Sequence, residues 1–136
     1  MKIILCNGVF DILHAGHIRH LREARAMGDL LFVSLTLDEN VNKGPGRPIN
    51  TWSDRAMCLL ELRSVSMVIP TANACAAIRS VRPAVFCKGI DYAGGDRFSE
   101  AVTLACAEVG AEIRYTTAPK MSATDMILRT REIENA

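Results

Sequence analysis

The stretch from Ile3 to Leu35, IILCNGVFDILHAGHIRHLREARAMGDLLFVSL, decides the fold of this 136-residue chain. It opens with the apolar run Ile3 to Cys6, which has the length of a strand, and closes with a second such run, Leu31 to Leu35. Between them, residues from about Ala15 to Met27 place apolar side chains one helical turn apart, and Gly28 then supplies a helix stop. The order predicted is strand, loop, helix, strand.

The same alternation continues to the end of the chain. Further strand-length runs lie at Met67–Ile69, Ala84–Cys87 and Glu112–Tyr115, and helical spacing covers Thr51–Arg63, Asn73–Val81, Phe98–Val109 and Ser122–Arg131. Strands that are apolar throughout and separated by helices imply a parallel sheet covered on both faces. The sequence therefore predicts an α/β fold, a doubly wound Rossmann-like parallel sheet of about five strands with helices on both faces. We expect a single domain over residues 1–136.

Composition narrows the classes of function. Lys and Arg number 16 against 15 Asp and Glu, so no overall field draws the chain to nucleic acid or to an anionic membrane, and any anion site must be local. The N-terminal apolar run is too short for a signal sequence or a membrane span. The five cysteines include no C-x-x-C pair. This pattern favours buried thiols in a reducing compartment. We therefore expect a cytoplasmic protein without nucleic-acid or membrane partners.

The segment NGVFDILHAGH, residues 7–17, follows the first strand and enters the first helix. Backbone amides at such a helix N-terminus bind phosphate. Gly8 lets the backbone approach a ligand and Gly16 keeps the helix start open, while His14 and His17, spaced i and i+3, face the same way. The two imidazoles are expected to meet one phosphate. Ligation of zinc together with His20 and a purely structural role are the alternatives.

This segment resembles the G-x-F-D-x-x-H-x-G-H signature of the cytidylyltransferase-like nucleotidyltransferases. The resemblance implies that His14 and His17 contact the triphosphate and the transition state at the α-phosphorus, with the acceptor's phosphate as nucleophile. It also implies nucleotide contacts from the rest of the motif, namely Gly8, Val9, Phe10, Asp11 and Gly16. Such a reaction proceeds by positioning and charge neutralisation, without a covalent intermediate.

Basic residues follow the motif. Lys43 and Arg47 lie in the Gly- and Pro-rich loop NKGPGRP, residues 42–48, where the family has a flexible basic loop that closes over phosphates; a solvated basic loop is the alternative. Arg55 and Arg63 resemble arginines of the family on the following helix. Arg55 is expected to support the fold or the acceptor site, and Arg63 to reach phosphate, unless either is only a surface charge.

Residues 88–92, KGIDY, follow the fourth strand and resemble the family's K-G-x-D-Y element, which borders the base and ribose. The resemblance implies that Tyr92 stacks, that Asp91 accepts hydrogen bonds and that Lys88 neutralises phosphate. It also assigns Gly89 to the nucleotide-binding residues. A plain strand-end turn is the alternative.

Residues 120–124, KMSAT, resemble the I-S-T-T element, whose hydroxyls and helix N-terminus hold the β- and γ-phosphates. Ser122 and Thr124 retain hydroxyls, and Ala123 replaces one. Ser122 would serve equally well as an ordinary N-cap.

Among subfamilies, the chain looks most like the heptose-1-phosphate adenylyltransferase domain of ADP-heptose synthesis. Thr117 stands where glycerol-3-phosphate cytidylyltransferases carry an arginine, which weakens the CTP alternative. Arg63, however, resembles an arginine of these cytidylyltransferases. Ser66 departs from the aspartate usual in both groups, so a non-catalytic nucleotide-binding domain is a further alternative. The kinase half fused to many heptose adenylyltransferases is missing, which predicts a stand-alone transferase.

The resemblance favours ATP and a sugar 1-phosphate as the nucleoside triphosphate and the small phosphorylated acceptor. Mg²⁺ is expected to bridge triphosphate oxygens rather than to sit in a protein cage. The resemblance also implies a homodimer.

Overall fold

A computed structural model describes residues 1–89, 99–117 and 123–135 of the chain. The strands are β1 (Ile3–Gly8), β2 (Leu30–Thr36), β3 (Met67–Thr71), β4 (Val85–Lys88) and β5 (Glu112–Tyr115). The helices are α1 (Ala15–Arg25), α2 (Trp52–Leu60), α3 (Ala74–Val81), α4 (Ser99–Val109) and α5 (Ala123–Glu134), with a 3₁₀ turn at Asp38–Asn40. Each predicted strand and helix is present, with bounds that differ by a few residues.

All five strands are parallel and lie in the order β3-β2-β1-β4-β5, which confirms the predicted doubly wound sheet. β1 is central because it pairs with β2 on one side and with β4 on the other. The chain adds β2 and β3 on one side of β1, and then returns to add β4 and β5 on the other side. Loops that follow these strands diverge, so a crevice opens at their carboxyl ends.

Alternating side chains of β1 divide the interior into two cores. Ile4 and Cys6 face a cluster that includes Leu21 of α1 and Leu59 of α2, whereas Leu5 faces a cluster on the opposite side of the sheet. That second cluster is formed with α3 and α4, through Ala77, Ile78, Val102, Ala105 and Cys106. Helices therefore cover both faces. Of the described helices, none has the length and apolarity that crossing a membrane requires.

Two predicted helix ends were wrong. α1 ends at Arg25 with Ala26 as its C-cap, two residues before the predicted end, so Gly28 is not the residue that stops it. A Cβ on Gly28 would lie 2.7 Å from the Lys2 carbonyl oxygen, so glycine is needed there because the chain packs against the start of β1. α2 begins as predicted, with Thr51 Oγ1 accepting the Asp54 N–H, but it ends at Leu60. The chain then turns to reach β3, which leaves Arg63 outside the helix.

Candidate active site

A cavity of about 880 Å³ opens at the carboxyl end of the sheet. It collects the loops that follow β1, β2, β3 and β4, because the carboxyl ends of parallel strands share one edge. Of the described residues predicted for the site, the ones that line it are Gly8, Val9, Phe10, Asp11, His14, Gly16, His17, Lys43, Arg47, Lys88, Gly89 and Thr124. The fold therefore brings the motif, the basic loop and the start of α5 around one space.

The motif histidines form the first turn of α1. His14 is the N-cap, and its Nδ1 accepts the backbone N–H groups of Gly16 at 3.1 Å and His17 at 3.4 Å. In return, His17 Nδ1 accepts the His14 N–H at 3.3 Å, which completes a capping box made of two imidazoles. The rings stack, with centroids 3.7 Å apart and planes 20° apart. The prediction that His14 and His17 face the same way is confirmed.

These contacts determine where each ring carries its proton. A ring nitrogen that accepts a hydrogen bond has no proton of its own, so the neutral tautomer of each histidine is protonated at Nε2. Burial is the main reason that the pKa of His17 is lowered to about 4, and electrostatic repulsion from His14, His20 and Lys43 lowers it further. His17 is therefore neutral near pH 7 and can donate a hydrogen bond from Nε2 without carrying a charge.

Phe10 supports His17 from the side. Its ring packs edge-on against the imidazole, with centroids 5.1 Å apart, and its backbone has a φ of 47°, which is unusual outside glycine. The ring also covers Gly8, where an added Cβ would lie 2.7 Å from Phe10 Cε2. Glycine at position 8 is thus required at least as much for packing Phe10 as for approach to a ligand.

Asp11 is held by the turn of residues 47–50. Its carboxylate accepts hydrogen bonds from Arg47 Nε and Ile49 N at 2.8 Å and from Asn50 N at 2.9 Å. Burial alone would raise the pKa of Asp11, but the Asn50 and Ile49 amides and the Arg47 guanidinium together lower it. These contacts hold the carboxylate against the turn of residues 47–50, and a nucleotide contact from Asp11, which also lines the cavity, stays a prediction.

Arg55 is a structural residue. Its side chain is fully buried and donates to the carbonyl oxygens of Asn50 at 3.1 Å and Val9 at 2.8 Å, and to Asp38 Oδ1 at 2.6 Å. Of the two expected roles, support of the fold matches these contacts, and its assignment to substrate or phosphate is corrected because its three nitrogens are engaged.

Arg63 is also corrected. It is exposed in the connection from α2 to β3, which leads into the amino end of a parallel strand. The cavity lies at the opposite end of the sheet, and Arg63 is not among the described residues that line it. Asp91, Tyr92 and Ser122 lie outside the described residues.

Several cavity residues were not predicted. Thr36 ends β2, Asn40 follows it and the segment 72–75 follows β3, and the carboxyl ends of these strands reach the same edge as that of β1. The rule that located the motif would have indicated these strand ends too. His20 was considered only as a metal ligand, yet its Nδ1 lies 2.6 Å from Thr116 Oγ1, and burial lowers its pKa.

Thr117 is tied to the same helix as His20. It donates its N–H and its hydroxyl to Glu23 of α1, at 3.0 and 2.7 Å. Contacts from α1 thus hold the end of β5 beside the cavity.

The chain resembles known proteins over most of its length. The model of a family described as cytidylyltransferase-like matches residues 5–129. A "Bifunctional protein HldE" from Aliarcobacter butzleri (strain RM4018) is 44% identical over 99 residues, which are 70% of this chain and 21% of that protein. The protein of the same name from Pseudomonas fluorescens (strain Pf0-1) is 47% identical over 95 residues, 67% of this chain and 20% of that one. The chain thus spans about a fifth of the length of these curated relatives.

Solved structures share the fold. A lipopolysaccharide core biosynthesis protein from Thermoplasma volcanium GSS1 is 27% identical with a TM-score of 0.74, covering 88% of this chain and 99% of that one. A pantoate-beta-alanine ligase from Francisella tularensis has a TM-score of 0.62 at 14% identity, covering 96% of this chain and 69% of that one. The second likeness concerns the fold alone.

Proposed function

Since the chain belongs to the cytidylyltransferase-like family, we propose that it is a nucleotidyltransferase that uses ATP and a sugar phosphate such as heptose 1-phosphate. It moves the nucleoside monophosphate to the acceptor and releases pyrophosphate. The sequence resemblance to heptose-1-phosphate adenylyltransferase domains and the similarity to HldE proteins support the choice of acceptor. Fold alone would not support it, because one fold hosts many activities.

The observation that carries the proposal is the stacked pair of His14 and His17, which line the cavity. Both rings are fixed by hydrogen bonds to the backbone, and both carry their proton on Nε2. Donors held in place before the reaction stabilise developing charge without a cost for reorientation. A phosphate at the N-terminus of α1 would also meet backbone N–H groups and the positive end of the helix dipole.

In this mechanism, an oxygen of the acceptor's phosphate attacks the α-phosphorus of the triphosphate. The new phosphorus–oxygen bond forms as the bond from the α-phosphorus to the bridging oxygen of the pyrophosphate breaks. The nucleophile is already an anion, so no general base is needed. His14 and His17 donate from Nε2 to oxygens that gain charge, while Lys43 and Lys88, which also line the cavity, supply the positive charge that the neutral imidazoles lack.

Mg²⁺ would arrive with the triphosphate and would offset part of its charge. Among the residues that the structure describes, the carboxylates on the cavity wall are those of Asp11 and Asp125, and Asp11 is occupied by the turn of residues 47–50. A hard cation that prefers oxygen ligands would find them mainly on the triphosphate.

A homodimer and a cytoplasmic location are further parts of the proposal. Exposed apolar side chains on α2 (Met57 and Leu60) and on the edge strand β3 (Met67) support an interface between two copies. Light scattering after size-exclusion chromatography would test the dimer.

A matrix of ATP and CTP against heptose 1-phosphate and glycerol 3-phosphate, read as pyrophosphate release, tests the function. We expect turnover with ATP and heptose 1-phosphate. His17→Ala should reduce that turnover by about two to four orders of magnitude, because it removes one fixed donor, while the chain remains folded by circular dichroism. Arg19→Gln changes an exposed arginine of α1 outside the cavity and serves as the control. Unchanged pyrophosphate release in His17→Ala would contradict the mechanism.

A further inference from the structure

Asn7 is a polar side chain at the centre of the sheet, near the carboxyl end of β1. Leu5, two positions earlier, faces the second core cluster, so Asn7 points to the same side, towards α3 and α4. Asn7 is half-buried and lines the cavity. Its neighbour in the sheet register is Ser34 of β2, which is fully buried. Polar groups in such a place are costly unless they form hydrogen bonds.

Ser34 fixes the orientation of the Asn7 amide. The Ser34 hydroxyl lies 2.8 Å from Asn7 Oδ1 and 3.4 Å from the Cys6 carbonyl oxygen, and it donates its single proton mainly to the closer Asn7 oxygen. The amide nitrogen Nδ2 therefore points away from Ser34. It has no hydrogen-bond partner among the described residues, yet, unlike Arg47 Nη2, it is not enclosed by protein atoms. Nδ2 is thus a fixed donor that a ligand in the cavity can reach.

The cavity wall beside Asn7 is formed by small or uncharged side chains. They come from the segment 72–75 after β3 and from Phe86, Ala101 and Val102. Lys88 lies at the edge of this wall, because it follows Phe86 by two positions on β4. A wall of amide and apolar groups with a cation at its edge is complementary to a sugar phosphate, which has hydroxyls, CH groups and an anionic phosphate.

The opposite wall carries the positive charge of the motif and the basic loop. Lys43 is close enough to His17 to lower its pKa, and Arg47 donates to Asp11 of the motif at 2.8 Å. α1 packs on the first core cluster, across the sheet from the side that Asn7 faces. In phosphoryl transfer the attacking oxygen and the leaving group lie roughly in line on opposite sides of the phosphorus. With the pyrophosphate beside these cations, the acceptor enters from the side of Asn7.

We propose that Asn7 determines the specificity for the acceptor: Nδ2 donates a hydrogen bond to a hydroxyl of a polyhydroxylated sugar phosphate, and Ser34 is the positioning residue that orients the amide. The inference rests on the proposed function and deepens it, since it assigns one wall of the same cavity to the sugar. A small acceptor without a hydroxyl within reach would leave Nδ2 without a partner, and such a loss lowers its use as a substrate.

Steady-state kinetics of pyrophosphate release, with ATP and heptose 1-phosphate varied in turn, tests this. Asn7→Leu keeps the approximate volume of the side chain and removes the donor. It should raise KM for heptose 1-phosphate about tenfold, the effect of one hydrogen bond, with little change in kcat or in KM for ATP. Methyl phosphate offers the same nucleophile without sugar hydroxyls, so its kcat/KM should not change. Arg19→Gln, at an exposed position outside the cavity, should match the wild type throughout.

Ser34→Ala separates positioning from a merely structural role. The variant lets the amide rotate, so KM for heptose 1-phosphate should rise about threefold, and it should rise no further in the Asn7→Leu background. Additive losses in the double variant would overturn the positioning role. Asn7→Ser is small and polar, so it should fold even where the leucine is not tolerated, and its hydroxyl is too short to replace Nδ2. It should therefore raise the same KM about as much.

A KM for heptose 1-phosphate close to the wild-type value in both Asn7 variants would overturn the inference and leave the proposed function standing. A rise confined to KM for ATP would also overturn it, because Asn7 would then belong to the nucleotide. A wild-type chain that releases no pyrophosphate with any pair of substrates would overturn both.

Discussion

Replacing Arg55 by leucine tests whether this residue supports the fold, as its contacts indicate, or binds substrate, as the family resemblance implies. The leucine would leave the carbonyl oxygens of Val9 and Asn50 without the donors that now lie 2.8 and 3.1 Å away. Each such loss costs about 1–2 kcal/mol at a partly buried site. Asp38 is 46% exposed, so water can replace its contact, and that loss adds less than about 1 kcal/mol. We therefore expect the free energy of unfolding to fall by about 2–5 kcal/mol.

Urea denaturation followed by circular dichroism measures this loss. With a slope of about 1–3 kcal/mol per molar urea, the midpoint should fall by about 1–3 M. Arg19→Leu, an exposed position in the middle of α1, should stay within about 0.5 kcal/mol of wild type and is the matched control. A stable Arg55→Leu variant that loses affinity for substrate would refute the reasoning, since it would assign Arg55 to ligand binding after all.

Two further predictions concern the motif. The pKa of His17 is about 4, below its ordinary value near 6.5, so the unfolded chain takes up a proton that the folded chain does not; the free energy of unfolding should be level above about pH 6.5 and fall from there towards pH 4. His17→Gln should flatten this slope in part, with the remainder due to His20, and an equal slope in both proteins would contradict the assignment. Gly8→Ala should cost about 1–3 kcal/mol because its Cβ meets the Phe10 ring at 2.7 Å, whereas Gly89→Ala, whose Cβ meets no atom of the described residues within 4 Å, should leave the denaturation midpoint in place.

The sheet and the histidine pair were predictable because both depend on short-range patterns. Apolar runs and helical spacing fix the alternation of strands and helices, and a helix N-terminus fixes which way His14 and His17 face. The end of α2 was not predictable in the same way. Helical spacing continues to Arg63, but the chain has to turn at Leu60 to bring Val65 into the core and Ser66 against Leu31. Tertiary packing outweighs local propensity there.

The contacts of Asp11 and Arg55 could not be read from the sequence, because their partners lie far along the chain. Asp11 meets Arg47 across 36 positions, and Arg55 meets Val9 across 46. A contiguous motif suggests one shared role, yet its side chains have different partners: the rings of His14 and His17 bond to the backbone of α1, whereas the Asp11 carboxylate binds the turn of residues 47–50. The motif is thus both the proposed ligand site and the segment that fixes the turn of residues 47–50. Substitutions at Asp11 should therefore change both the stability of the fold and the position of the Arg47 side chain, whereas substitutions that remove Nε2 of His17 should act mainly on turnover.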